Sequence, residues 1–498
     1  MELQFRKNTY ECYRPVSREV KNQEQTLEVK LPEAMPDIGR VLGAWGQPVL
    51  RSKEWRGSGV GVTGGVMAWV LYEPEDGSIP RTVEAWIPFQ SRFDFASQAA
   101  DGAIVAGCRL SGMDARSVSP RKMMLRAGMS VAVNALEPMQ AQWYAPEELP
   151  EDVQVLKKTY PVRVRSEAGE MTFVMDEDLP LPGDCAGAQK LVYYTLQPVI
   201  MERKVMGDKV LFRGVAGVHA LCRCGDGQLK TCDFELPFSQ YTDLEKEHDA
   251  YATAEVIPAV TELDMDILDD GKLRMKAGLV AQYVICDRPV MELVEDAYST
   301  NRELQLQMQE SELPVVLEQR QETVKAERFA DVSGEVVDVC FWTGHPGQER
   351  RELSRWATQQ GNFQLLYTDE QEQLQSAIMP WEEGWEIPAD SDSQLGLWCS
   401  GVSGTQMIMG TDRGDLRAEA TVEVTTDNAM GLRMVTGVTL GEKKQEDAEK
   451  PSLILCKMGK DSMWEVAKRF GSTVEAICEA NGLTEPPLDD RFLLIPVI

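Results

Sequence analysis

The chain has 498 residues, with 80 acidic against 51 basic side chains, a formal net charge of −29 and a pI near 4.6. A field of that sign repels nucleic acid and anionic membranes, and no run of Lys/Arg supplies a local exception. The length accommodates three or four domains, each able to bury its own core.

Residues 1–30 contain alternating segments, Glu2–Arg6 and Thr26–Leu31, that predict strands feeding a first domain. Pro32 to Asp37 breaks them, and Ile38–Leu42 reads equally as a short helix or another strand. A β-hairpin follows over Gly65–Phe89. Val66, Ala68 and Val70 alternate with Met67, Trp69 and Leu71, Glu75-Asp76-Gly77 turns the chain, and Val83, Ala85 and Ile87 resume the alternation. Pro88 lacks an N–H and is expected to end the strand. Strand-like runs at 104–117 and 122–135 come next, and the acidic, Pro-rich stretch 138–152 marks a boundary.

The same layout recurs. Gly217–Cys222 leads through Gly225-Asp226-Gly227 to Glu235-Leu236-Pro237-Phe238, and Gly361–Tyr367 leads through Asp369-Glu370 to Ile378-Met379-Pro380-Trp381. Each is followed by a second landmark: KMMLRAGM from Lys122, KLRMKAGL from Lys272 and, more weakly, DLRAEAT from Asp415. The proline-to-landmark spacings are 34, 35 and 35 residues. The fold class is therefore mainly β, with three tandem β-sandwich-like repeats over 1–150, 151–312 and 313–440. Asp296–Glu312 reads as a polar short helix or linker, and 441–451 as a charged linker.

Few residues suggest chemistry. Gly59, Gly61 and Gly64 spell GxGxxG, but a strand follows them rather than the helix whose N-terminus would hold a phosphate. His219, Cys222, Cys224 and Cys232 lie within fourteen residues, yet CxC in a strand is not the usual zinc-knuckle turn, and alternation puts His219 on the opposite face. His248 and His345 sit in polar segments and are expected at the surface or in loops. The eleven cysteines are scattered and odd in number, so free thiols are expected, with no metal and no cofactor. Trp69, Trp86 and Trp381 read as core or interface packing. The N-terminus has no apolar signal segment and no stretch approaches about 18 apolar residues, so a soluble, cytoplasmic protein without membrane insertion is expected. No nucleophile, Walker or HExxH motif appears, so the chain reads as no enzyme.

Beyond residue 451 the character changes. Leu453–Cys456 is a short strand, and Ser462 with Glu465 forms a capping box. Met463, Val466, Ala467 and Phe470 fall on one helical face, Ser472 and Glu475 repeat the capping signature, Val474, Ile477 and Cys478 give a second stripe, and Phe492–Pro496 closes as a strand. This βααβ unit, 452–498, resembles a LysM domain through Asp461, Ser462, Trp464, Ala467, Phe470, Thr473, Val474, Ile477, Asn481, Leu494, Ile495 and Pro496. Lys460 replaces the usual glycine of the turn and Met463 the usual leucine. The resemblance implies an N-acetylglucosamine-polymer groove formed by Met458, Gly459, Lys460, Asp461, Ser462 and Met463 with Asn481, Gly482, Leu483 and Pro486, the second loop running to Pro487. Met458, Met463 and Leu483 are expected to offer apolar contact there, and Trp464 to pack inward.

Repeated β domains followed by such a unit are similar to the SPOCS-domain proteins of endospore-forming Firmicutes. That resemblance rests on the Gly/Val strand, the Leu-Tyr turn and the Pro-Phe strand end, plus the C-terminal unit. It implies a non-catalytic adaptor in spore-coat or envelope assembly, in the mother-cell cytoplasm at the forespore surface. The implied partner is a spore-coat morphogenetic ATPase or other coat protein, and the competing ligand is peptidoglycan or another N-acetylglucosamine polymer.

Overall fold

The period-2 apolar pattern of the first 440 residues becomes strands in the computed structural model. It describes residues 2–95, 101–332, 334–351, 354–388, 392–409, 414–444, 451–486 and 491–498. After β1 (Glu2–Leu3), the first copy is β2 (Phe5–Lys30), β3 (Ile38–Trp55), β4 (Gly59–Pro74), β5 (Arg81–Asp94), β6 (Ala103–Ser119) and β7 (Lys122–Pro146). The second is β8 (Val153–Pro161), β9 (Val164–Pro180), β10 (Ala188–Met206), β11 (Lys209–Cys224), β12 (Leu229–Asp243), β13 (Thr253–Ile267), β14 (Lys272–Asp287) and β15 (Val290–Ser299). The third is β16 (Arg302–Ala330), β17 (Val336–Thr343), β18 (Gly347–Arg351), β19 (Ser354–Thr368), β20 (Leu374–Ile387), β21 (Gln394–Met409) and β22 (Gly414–Lys443).

One topology serves all three copies. The strand sets β3-β4-β5, β10-β11-β12 and β17/β18-β19-β20 form one sheet of each copy; β6-β7-β2, β13-β14-β9 and β21-β22-β16 form the other, the first two of these joined into one six-stranded sheet through the Tyr13–Arg165 pair of β2 and β9. Pro88, Pro237 and Pro380 pair with Gly65, Val215 and Asn362, well inside β5, β12 and β20. They do not end these strands as expected. All three are edge strands, where a missing N–H breaks no central ladder. The next residue, Phe89, Phe238 or Trp381, opposes Gly64, Gly214 or Gly361. A Cβ on Gly64 or Gly214 would come within 2.8 or 2.5 Å of the opposing ring, so these glycines make room for an aromatic lid. The GxGxxG stretch accordingly lies in β4.

The copies do not hang as beads. β3 packs on β13, β10 on β21 and β17 on β6, so the first strand of each copy's hairpin sheet meets the strand that follows that sheet in the next copy, and the ring closes. Side-chain amides, buried at Gln47 and Gln282 and half-buried at Asn362, seal the joints by capping backbone groups. Leu196 N donates to Gln47 Oε1 at 2.8 Å, Gln282 exchanges two 2.8 Å bonds with Ala106, and Asn362 donates to Ser111 O at 2.6 Å. Asp427 of the third copy receives Arg165 of the second at 2.7 Å and Arg18 of the first.

The first and last strands of each copy run on as two-stranded ribbons: β2 with β7, β8 with β15, and β16 with β22. Their inner faces share an apolar centre in which Cys12 and Ala141, Met291 and Leu293, and Leu313, Leu432 and Met434 meet. Asp296–Glu312 is therefore neither helix nor linker: it ends β15, where Ser299 is buried, and begins β16, where Glu303, Gln305, Gln307, Glu310 and Glu312 are exposed. The 312/313 boundary falls inside β16, Ile38–Leu42 belongs to β3, and the first thirty residues form mostly one long strand. Residues 445–450 of the charged stretch lie outside the described residues.

Candidate functional site

The C-terminal unit is β23 (Leu453–Lys457), α1 (Met463–Phe470), α2 (Val474–Ala480) and β24 (Phe492–Pro496). Ser462 and Glu465 cap α1 reciprocally, with Ser462 N to Glu465 Oε2 at 2.7 Å. Gly471 ends α1 in the left-handed region at φ 68°, Thr473 caps α2, and the two strands pair antiparallel. Asn481 is the strut between helix and sheet: its amide donates to Ile477 O at 2.7 Å and Leu494 O at 2.6 Å, and accepts from Leu494 N at 2.8 Å.

The predicted groove residues divide by burial. Gly459, Lys460, Ser462, Gly482 and Pro486 are exposed, and Asp461 is half-buried and paired with Arg469. Gly459 and Gly482 adopt φ 64° and 63°, the positive values that let each loop reverse. Met458 and Met463 are core residues, packed with Val466, Ile477, Leu493 and Ile495, and Leu483 rests half-buried on the same cluster. These side chains face inward because they end the strand and begin the helix that enclose the core, so the expected apolar contact surface does not lie there. Pro487 lies outside the described residues.

The structure exposes a different apolar surface. Leu453, Leu455, Phe492 and Leu494 are 49, 64, 64 and 38% exposed and alternate with the buried or half-buried Ile454, Cys456, Leu493 and Ile495. The two-stranded sheet is thus apolar on both faces. The signal was legible as LILC and FLLI, strands without the polar alternation that a solvated face requires.

The unit is docked rather than merely tethered. Trp464 does not enter its core: Nε1 donates to Asp296 Oδ2 at 2.9 Å, and its ring meets Tyr298 edge-on at 4.7 Å. Lys468 Nζ reaches both Asp296 oxygens at 2.7 and 2.8 Å, and the Tyr298 hydroxyl donates to Ser472 O at 2.8 Å. Helix α1 therefore sits on the end of β15, leaving the outer sheet face free. Asp296, Tyr298 and Lys468 carried no recognisable local pattern.

The other candidates move too. His248 and His345 are buried, not surface residues. His248 lies between Glu167 Oε2 at 3.0 Å and Asp287 Oδ2 at 2.9 Å, partners far off in sequence. Cys222 faces Cys232 across 3.8 Å, and His219 points away from them to Asp233 and Asp338. Trp69 is buried against Tyr194 of the second copy, Trp381 is buried in the third copy's core, and Trp86 is 38% exposed over Gly65.

A βααβ unit with these caps and this asparagine strut is LysM-like, and residues 460–488 match the LysM domain family model. Comparison with curated proteins and with solved structures finds no match. No helix among the described residues is long and apolar enough to cross a membrane.

Proposed function

We propose that the chain is a non-enzymatic adaptor whose three-copy β body holds its LysM unit in a fixed pose for a protein partner. The observation that carries this reading is the exposed apolar sheet face, Leu453, Leu455, Phe492 and Leu494. Apolar residues gathered in a patch mark an interaction surface, whereas scattered ones need no explanation. The likeness to SPOCS-domain proteins then supports spore-coat or envelope assembly at the forespore surface, with a coat morphogenetic ATPase or other coat protein as partner. A second reading, binding of peptidoglycan or another N-acetylglucosamine polymer, is supported by the LysM match and by the exposed Gly459–Ser462 turn. Lys460 places a positive charge at that turn.

Purified coat ATPase on immobilised full chain tests the pair. Leu455→Asp with Phe492→Asp is expected to weaken capture by at least about tenfold, the scale of losing central apolar contacts. Circular dichroism should stay unchanged, since both side chains face solvent. Unchanged capture, together with submillimolar binding of chitin oligomers that Lys460→Glu alters, would overturn the adaptor reading in favour of the glycan one.

A further inference from the structure

We infer that His219, Asp338 and Cys340 form a binding site for one zinc ion at the joint between the second and third β-sandwich copies. His219 stands on β11, while Asp338 and Cys340, two residues apart, share a face of β17. Their ligand atoms (one imidazole nitrogen, one carboxylate oxygen, one thiol sulfur) lie within 4.8 Å of one another. His219 Nε2 is 2.8 Å from Asp338 Oδ1, and Cys340 Sγ is 3.9 Å from Asp338 Oδ2. The Tyr193 hydroxyl of β10 stands beside all three, at 2.8, 2.6 and 2.7 Å from His219, Asp338 and Cys340. Trp45 of the first copy stacks on Tyr193 at 4.7 Å and 7°, so all three copies brace the place.

Four features favour a metal over a plain hydrogen-bond cluster. The donors are of the nitrogen, sulfur and oxygen types that suit zinc, whereas calcium and magnesium require oxygen throughout. His219 Nδ1 is 2.6 Å from Asp233 Oδ1, the outer carboxylate that orients a metal-bound imidazole and raises its basicity. Two carboxylates share one imidazole, and among the described residues His219 is the only cation paired with Asp338, whose side chain is 1% exposed. Zinc bond lengths require donor separations of about 3.4–3.6 Å. The His219–Asp338 edge therefore opens by roughly 0.6 Å and the Asp338–Cys340 edge closes slightly. On entry, zinc displaces to solvent the proton between His219 and Asp338 and the thiol proton of Cys340. Tyr193 stays hydrogen-bonded to Asp338 and holds that carboxylate in place. Cys340 is 6% exposed, which gives no room for a substrate and sets aside a Cys-His-Asp nucleophile.

The test uses the full chain, first stripped by chelator and then titrated with cobalt and zinc. The wild type is expected to bind one equivalent, to show thiolate-to-cobalt charge-transfer absorption that zinc abolishes, and to melt higher with zinc. His219→Asn and Cys340→Ser should each weaken zinc by at least about tenfold, and Cys340→Ser should lose the band. Asp233→Asn, at an exposed position that keeps the fold, should weaken zinc about tenfold while preserving stoichiometry. Cys222→Ser should change nothing. Failure of the wild type to bind zinc at about 10 μM would overturn the site. So would a band that survives Cys340→Ser and is lost in Cys222→Ser, which would move the metal to the Cys222–Cys232 pair.

Discussion

At the scale of single residues, the centre of the ring is defined by one histidine. His345 lines a cavity of about 50 Å³ with Gln47, Arg109, Gln197 and Trp398. Its Nδ1 accepts from Cys399 N at 3.3 Å, Trp398 meets it edge-on at 4.9 Å, and Nε2 is buried without a well-formed hydrogen bond among the described residues. A site of that size admits a water but offers a poor home for a charge. Burial first, then the Arg109 guanidinium, pulls the pKa of His345 down to about 3. The folded value lies below the unfolded one, so the unfolded chain takes up the proton first. Stabilisation is complete above about pH 6.5 and drains away as pH falls toward the folded value, at about 1.4 kcal/mol per unit. His345→Gln should therefore flatten the acid limb, shrinking the stability lost between pH 7 and pH 4.5 by about 2–3 kcal/mol in urea titrations. Superimposable acid limbs would show that this imidazole does not govern the centre.

At the scale of elements, helix α1 looks two ways. Met463, Val466 and Ala467 face the LysM core, while Trp464 and Lys468 face β15. Asp296 is the shared acceptor, only 26% exposed. Asp296→Ala leaves the indole N–H and the ammonium without it, and should weaken docking by about 1–2 kcal/mol. Hydrogen exchange should rise in β15 and along α1's outer face, while the helical circular dichroism persists. Unaltered protection in β15 would mean that Tyr298 alone holds the unit. The pattern explains how far the sequence could be read. Strands, hairpins, copy number and the βααβ unit are local and periodic, so alternation, capping residues and repeated landmarks revealed them. Which way Trp464 turns depends on Asp296, more than 160 residues away, and nothing local encodes that. The buried His248 likewise finds Glu167 and Asp287 only after folding. Met458 and Met463 lie in the core rather than at the groove, because a loop-flanking apolar residue reads the same in sequence whether it closes a core or offers a contact.

For the whole molecule, a closed ring makes the three copies one cooperative body, and Asp427 is where that can be tested. Its carboxylate, with 4% side-chain exposure, holds Arg165 of the second copy and Arg18 of the first. Near it Glu423, also from the third copy, takes Arg203 of the second at 2.8 Å and the Gln321 amide at 2.9 Å. Removing one member of a buried ionic set costs far more than the set contributes net, because the remaining charges stay desolvated. Asp427→Asn keeps the shape and deletes the charge, leaving two guanidinium groups without their carboxylate. The expected loss is about 3–5 kcal/mol. Were the copies independent, calorimetry would show only the third copy's transition falling while the others stayed in place. Ring closure predicts instead that the β body unfolds in one transition shifted downward as a whole, since β10 packs on β21 and β17 on β6. Trp45 and Trp69 of the first copy pack on Tyr193 and Tyr194 of the second, and Trp381 lies in the third copy's core, so single-tryptophan fluorescence should trace the same shifted curve at all three positions. Divergent curves would break the ring into separate domains and remove the rigid mount on which the adaptor reading depends.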